Sequence, residues 1–261
     1  MHWGKHNRLD RVMPGLPQGT GSVMLAIDHG YFMGAVGGLE VPKETIVPLL
    51  PYADSLMITR GILQYSIPKR TNIPIVLRMS SGNSILNEDM SCEKLCVDIE
   101  DAIRMNASMV AFSIYIGSEW EHQTIVEFSK LINKAKRYGI PILAVTAVGK
   151  NMNRDLKYLT LASRISVELG ADVIKTYYCE GFDQLTKSVP VPVIIAGGKK
   201  IPEADALQLA HNAIKDGARG VDMGRNIFKA ENPKSMIQAV RSVVVDGVNP
   251  ADAFTQYQKA L

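Results

Sequence analysis

The chain has 261 residues, 46% of them hydrophobic and 21% charged, with 29 basic against 26 acidic side chains and a net charge of +3. A chain of this size buries roughly three quarters of its unfolded surface, so its core requires neither disulfides nor a structural metal. The weak, interspersed charge argues against a nucleic-acid partner, no apolar run approaches the roughly 18 residues of a membrane span, and three scattered cysteines fit free thiols in a reducing compartment.

Residues 1–20, with Pro14, Gly15, Pro17 and Gly19, read as an irregular lead-in, and residues 21–261 as one domain. The opening Met-His-Trp-Gly-Lys lacks the apolar stretch of a signal peptide, so a cytoplasmic location is expected. Eight short apolar runs follow: Val23–Ile27, Ser55–Thr59, Ile75–Arg78, Met109–Ile114, Ile142–Val145, Val173–Thr176, Val193–Ala196 and Gly220–Met223. Most are apolar throughout, as parallel strands covered on both faces are. Helical stretches separate most of them, at a repeat near the ~31 residues expected of eight units in ~250. Length alone also fits a doubly wound domain, but eight repeats predict an α/β fold of the single (β/α)8 TIM-barrel type. Ser91 before Glu93 reads as a helix start, and Ser118 with Glu121 as a capping box. Gly139, Gly170 and Gly217 read as helix ends, and Pro202 as a first helical residue. The stretch between Thr59 and Ile73 allows at most a brief helix.

Barrel active sites gather at the carboxyl ends of the strands. Lys175 stands out there, inside an apolar strand where ammonium groups are rarely buried unpaired. A desolvated lysine can attack a ketone and form an imine, which then draws electrons from a neighbouring C–C bond. The structural alternative is a lysine reaching the rim or paired with Asp172. Gly197-Gly198 and Gly224-Arg225-Asn226, after the seventh and eighth strands, are two turns able to bring backbone N–H groups to a phosphate. Asp28, after the first strand, is a candidate proton relay or a turn-capping carboxylate; His29 reads as an ordinary hydrogen-bonding residue or a substrate contact. Arg60, Arg78 and Lys150 also stand at strand ends, where each can fix substrate charge or pair with a carboxylate. The glycine-rich stretch 34–38 reads as a mobile loop able to close as a lid. Of the histidines only His29 stands near a strand end, so no metal centre is expected.

The runs Leu-Ala-Ile-Asp28-His29-Gly30, Ile-Lys175-Thr-Tyr-Tyr, Ile-Ala-Gly197-Gly198-Lys-Lys and Val-Asp-Met-Gly224-Arg225-Asn-Ile-Phe resemble the archaeal-type class I aldolase family. Thr-Arg60-Gly-Ile-Leu, Tyr115-Ile-Gly-Ser-Glu and Ala-Val-Thr146-Ala147-Val-Gly-Lys150 are similar to its thiolase branch. The resemblance implies an imine at Lys175, a role for Asp28 and phosphate held by the last two turns. It further implies acetyl transfer from a phosphorylated diketone to coenzyme A, a co-substrate, giving dihydroxyacetone phosphate, with no permanently bound cofactor. Self-assembly into rings, possibly decamers, is implied as well. Ala147 stands where the family's fructose-bisphosphate aldolases carry a catalytic tyrosine. The other readings are a class I aldolase on a sugar phosphate or heptulosonate precursor, and a non-catalytic phosphosugar-binding regulator.

Overall fold

A computed structural model describes residues 3–35, 37–149 and 152–261. Eight parallel strands close a barrel in sequence order: β1 (Ser22–Ala26), β2 (Ser55–Ile58), β3 (Ile75–Arg78), β4 (Ala107–Ile114), β5 (Ile142–Thr146), β6 (Val173–Thr176), β7 (Val193–Ala196) and β8 (Gly220–Met223). β8 returns to pair with β1, Met24 standing beside Asp222. Two separate apolar layers explain why the strands read as unbroken apolar runs. Val23, Leu25, Leu56, Ile58 and Ile174 face the surrounding helices, while Met24, Met57, Val76, Met109, Leu143, Val173 and Ile194 fill the barrel. The TIM-barrel fold expected from the repeat is the one observed, and among the described residues no helix is long and apolar enough to cross a membrane.

The lead-in is helical rather than irregular. α1 (Trp3–Val12) and the single turn α2 (Gly15–Gln18) lie under the barrel floor. Leu9, Val12 and Met13 pack against the inward side chains of the strands, and Lys5 pairs with Asp172 at 2.5 Å. That pair takes up the carboxylate considered as a partner for Lys175.

After β1 come the turn α3 (Gly30–Met33) and α4 (Pro42–Ile46), and after β2 the two-turn helix α5 (Arg60–Ser66), as brief as the sequence allows. The expected helix at Ser91 is absent. Lys94–Leu95 instead pairs antiparallel with Ser80–Ser81, and the helix, α6 (Ile99–Arg104), starts later behind Asp98. Ser91 caps no helix, and the Glu93 carboxylate beyond it is drawn into the barrel mouth by three hydroxyls. The capping box also fails in its expected form. In α7 (Glu121–Tyr138) the Glu121 carboxylate accepts from the Gly117 N–H, and the Ser118 hydroxyl donates to the Tyr115 carbonyl. Gly139 and Gly170 end α7 and α8 (Leu156–Leu169) in the left-handed conformation, where a side chain would be strained. After α9 (Phe182–Ser188) and β7, Pro202 is the residue before α10 (Glu203–Lys215), not its first turn. The chain closes with α11 (Arg225–Phe228), α12 (Pro233–Val244) and α13 (Pro250–Gln258).

Candidate active site

Inward side chains of a (β/α)8 barrel stack in layers drawn from alternate strands. That rule decides which residues meet. Lys175 on β6 shares a layer with Asp222 on β8 and Met57 on β2. Its Nζ lies 2.6 Å from Asp222 Oδ2 and 3.6 Å from Met57 Sδ. The lysine is 7% exposed and the aspartate 1%. The Lys175–Asp222 contact is an ion pair with angles outside hydrogen-bond geometry, and neither Asp222 oxygen has a hydrogen-bond partner. Burial pushes the Asp222 carboxyl up to about 6, against the pull of the Lys175 charge.

The layer above comes from β1 and β3. Arg78 donates to Asp28 Oδ2 from Nε at 2.9 Å and approaches it from its terminal nitrogen at 2.7 Å. It also reaches the Ser113 hydroxyl at 2.6 Å. Burial would raise the Asp28 carboxyl, but the charges of Arg78, Lys175 and His29 overcome it and hold the group at about 2. Asp28 is therefore an anion at neutral pH, suited to steadying positive charge or accepting a proton rather than donating one.

A third buried carboxylate backs this pair. Glu93 accepts from the hydroxyls of Tyr31 at 2.6 Å, Ser80 at 2.6 Å and Tyr115 at 3.1 Å. Burial and the Glu93 charge raise both tyrosines above the usual phenol range, so neither is a ready proton donor. Arg78 stacks over the Tyr31 ring at 5.1 Å. His29 opens α3 with its Nδ1 buried and unpartnered, and burial lowers its imidazole to about 4.

The third wall is formed by the turns after β7 and β8. Gly198 adopts φ +70° beside open space. The backbone N–H groups of Gly198 and Gly224 have no acceptor among the described residues. A Cβ on Gly224 would meet the Ala26 carbonyl at 2.1 Å, so only glycine allows this approach of β8 to β1. Asn226 ties the two turns together, donating to the Gly197 carbonyl at 2.6 Å and accepting from the Ile201 N–H at 2.9 Å. The buried Nε of Arg225 has no partner. Unpaired N–H donors around one recess are what an anionic group would satisfy.

These walls enclose a cavity of about 140 Å³, with Asp28, His29, Lys175, Gly197, Gly198, Gly224 and Arg225 among its lining residues. Seven of the nine predicted site positions thus converge. Arg60 does not: it starts α5, turns outward and pairs with Asp101 at 3.2 Å, its side chain 47% exposed. Lys150 lies outside the described residues, as does residue 36 of the expected lid. Ala147 lines the cavity as a methyl group. Two contributors, Asp222 and Glu93, are not legible as site residues in the sequence. Asp222 carries the signal that singled out Lys175, a charge inside an apolar strand. Glu93 is read from the sequence only as part of a helix start behind Ser91, whereas Arg78, expected at a strand end to fix charge or pair with a carboxylate, does pair with Asp28.

The arrangement of buried lysine, buried carboxylate and anion recess at the mouth of a closed barrel matches known proteins. A model of the DeoC/LacD family aldolases fits residues 22–230. This chain belongs to the DeoC/LacD aldolase family. It is 50% identical over 260 residues to the 3-hydroxy-5-phosphonooxypentane-2,4-dione thiolase of Klebsiella pneumoniae, covering 99% of this chain and 87% of that protein. The thiolase of the same name from an Enterobacter species is 51% identical with the same coverage. Among solved structures, an archaeal fructose 1,6-bisphosphate aldolase superposes with a TM-score of 0.82 at 26% identity, over 92% of this chain and 98% of its own. Another archaeal aldolase, with its catalytic lysine covalently bound to the substrate's carbinolamine intermediate, superposes with a TM-score of 0.82 at 25% identity, over 92% and 99% of the two chains. The DeoC/LacD assignment accounts for the scaffold, and the thiolase relatives are those with the higher sequence identity.

Proposed function

We propose that this family member is a Schiff-base thiolase acting on 3-hydroxy-5-phosphonooxypentane-2,4-dione, the compound in its relatives' name, and thereby processes the phosphorylated autoinducer-2 signal. The observation that carries the reading is a buried amine, Lys175, in the same cavity as the unpaired donors of Gly198, Gly224 and Arg225, in a chain half identical to named thiolases. The phosphate sits against those donors. Lys175 condenses with C4, the ketone next to the phosphate-bearing carbon, and water leaves. The thiolate of coenzyme A adds to the other ketone, C2. The C2–C3 bond breaks, its electron pair moves into the protonated imine, and acetyl-CoA departs. The resulting enamine takes a proton at C3, and water then releases dihydroxyacetone phosphate and the free amine. Asp28, anionic and braced by Arg78, faces the developing positive charge. Ala147 offers no acid for an aldol cleavage that depends on a tyrosine at that place.

The 140 Å³ cavity is small beside the 300–1,000 Å³ typical of ligand pockets. A second cavity, of about 450 Å³, shares Tyr31 as a wall and is lined by Ile27, Leu39, Pro42, Ile46 and Ile62. It suits the pantetheine arm of coenzyme A, so Ile62→Glu should raise KM for coenzyme A without altering imine formation at Lys175. We further propose that the enzyme works in the cytoplasm and as a homo-oligomer; sedimentation of the purified chain decides the second point.

The direct test is incubation with dihydroxyacetone phosphate and borohydride, followed by peptide mass mapping. A label on Lys175, lost in Lys175→Ala, is expected, together with acetyl-CoA formation from the diketone. A label elsewhere, or full turnover by Lys175→Ala, refutes the proposal. Dihydroxyacetone phosphate binding without any borohydride trapping would point to a regulator instead.

A further inference from the structure

The mechanism above leaves one buried acid without a task. Asp222 lies within 2.6 Å of Lys175 Nζ, is 1% exposed, and has no hydrogen-bond partner on either oxygen. A carboxylate kept only to neutralise Lys175 would be expected to have its free lone pairs satisfied by neighbouring donors, as Glu93 has in the same barrel. Asp28 cannot replace it as a donor, since Arg78 holds it as an anion.

We infer that Asp222 is the acid–base partner of Lys175, taking a proton from its ammonium group and returning it to the departing oxygen when the imine forms. The inference rests on the imine reading of Lys175. In the first step one N–H bond of the ammonium breaks and an O–H bond forms on Asp222. The neutral amine adds to the ketone carbon through its lone pair, and a second nitrogen proton passes to the alkoxide. The C–O bond then breaks as Asp222 protonates the hydroxyl, and water leaves. The nitrogen pair forms the C=N bond and one proton stays on nitrogen. The ammonium and ketone thus become a protonated imine and one water, with no external acid consumed.

The surroundings favour such a shuttle. Lys175 faces Asp222 from β6, Asp28 from the end of β1 and Arg78 from β3, while adjacent β7 contributes only Ile194 and Ala196 beside it. Moving one proton between Lys175 and Asp222 is internal to the site and leaves its net charge unchanged. Burial holds the Asp222 carboxyl at about 6, where it can both accept and give up a proton near neutrality.

The test uses the full-length protein, dihydroxyacetone phosphate, a timed borohydride quench from pH 5 to 8 and mapping of Lys175. Wild type should trap at a rate that falls on the acid side with a midpoint near 6. If wild type is never labelled, the imine reading itself fails. Asp222→Asn should trap at least about 100-fold more slowly, with the acid limb gone and native circular dichroism retained. Asp222→Glu should recover part of the rate together with an acid limb, and it carries the test if Asp222→Asn does not fold. Trapping by Asp222→Asn at the wild-type rate, or slower trapping with the limb unchanged, overturns the inference. So does an Asp222→Glu profile without an acid limb.

Discussion

Arg78→Met tests whether the site is held by a buried charge pair or merely contains one. Both side chains of the Asp28–Arg78 pair are about nine-tenths buried or more. Methionine replaces much of the aliphatic stem, so the loss is chiefly electrostatic. It leaves the Asp28 charge without its fork of donors and the Ser113 hydroxyl without its 2.6 Å partner. Breaking one side of a buried pair costs about 3–5 kcal/mol, which corresponds to a fall in Tm of about 6–20 °C at ~2–4 °C per kcal/mol. The pH dependence fixes the cause. Without Arg78, burial dominates and raises the Asp28 carboxyl above its unfolded value. The penalty is then full at pH 8 and is relieved as the pH falls and the acid takes up a proton. Asp28→Asn in the same background removes the stranded charge and should restore part of the stability. Urea denaturation of the two single variants and the double variant, at pH 5 and 8, measures all of this. A loss under about 1 kcal/mol for Arg78→Met, or a double variant less stable than Arg78→Met alone, refutes the reasoning.

Three further outcomes are expected. His29 is held at about 4 in the fold against 6.5 for the free imidazole, so the unfolded chain binds the extra proton and stability falls as the pH drops from 6.5 to 4. His29→Gln should remove up to about 3 kcal/mol of that acid loss, read as the difference between the two denaturation-versus-pH curves; coincident curves would count against a buried neutral imidazole. Gly224→Ala places its Cβ 2.1 Å from the Ala26 carbonyl, whereas the same change at Gly198 meets open space. Thermal melts should therefore show a larger drop for Gly224→Ala than the ~2–8 °C that the ~1–2 kcal/mol strain of a left-handed alanine gives Gly198→Ala; equal effects would refute the close β1–β8 approach. Val12→Asp buries an unpaired charge under the barrel floor, and should lower Tm by about 6 °C or more at about 3 kcal/mol or more; an unchanged melt would mean that α1 does not seal the barrel.

The barrel was legible because most strands are apolar on both faces, as Val193–Ala196 is, and eight such runs recur with helical stretches between most of them. Lys175 was legible for the complementary reason, as a charge that such a run cannot hold without a partner. Its partner in the fold, Asp222, was not legible, because pairing in a barrel follows layers and not sequence distance. Asp172 is three residues from Lys175 but lies at the foot of the barrel with Lys5, while Asp222 arrives from two strands away. The same blindness explains Arg60 and Glu93. Arg60 directly follows a strand yet turns outward, because α5 starts on it and Asp101 draws its guanidinium away from the mouth. Glu93 follows Ser91 where a helix is expected to start, but three hydroxyls, from the ends of β3 and β4 and from α3, hold its carboxylate at the barrel mouth. Local rules locate residues that have one strong preference, such as glycines ending helices. The final position of a buried charge is decided by whichever distant donors the topology delivers. In an alternating-strand barrel this supplies a usable correction: two charges of opposite sign inside apolar strands of the same parity, here Lys175 on β6 and Asp222 on β8, should be paired before any nearer neighbour is considered.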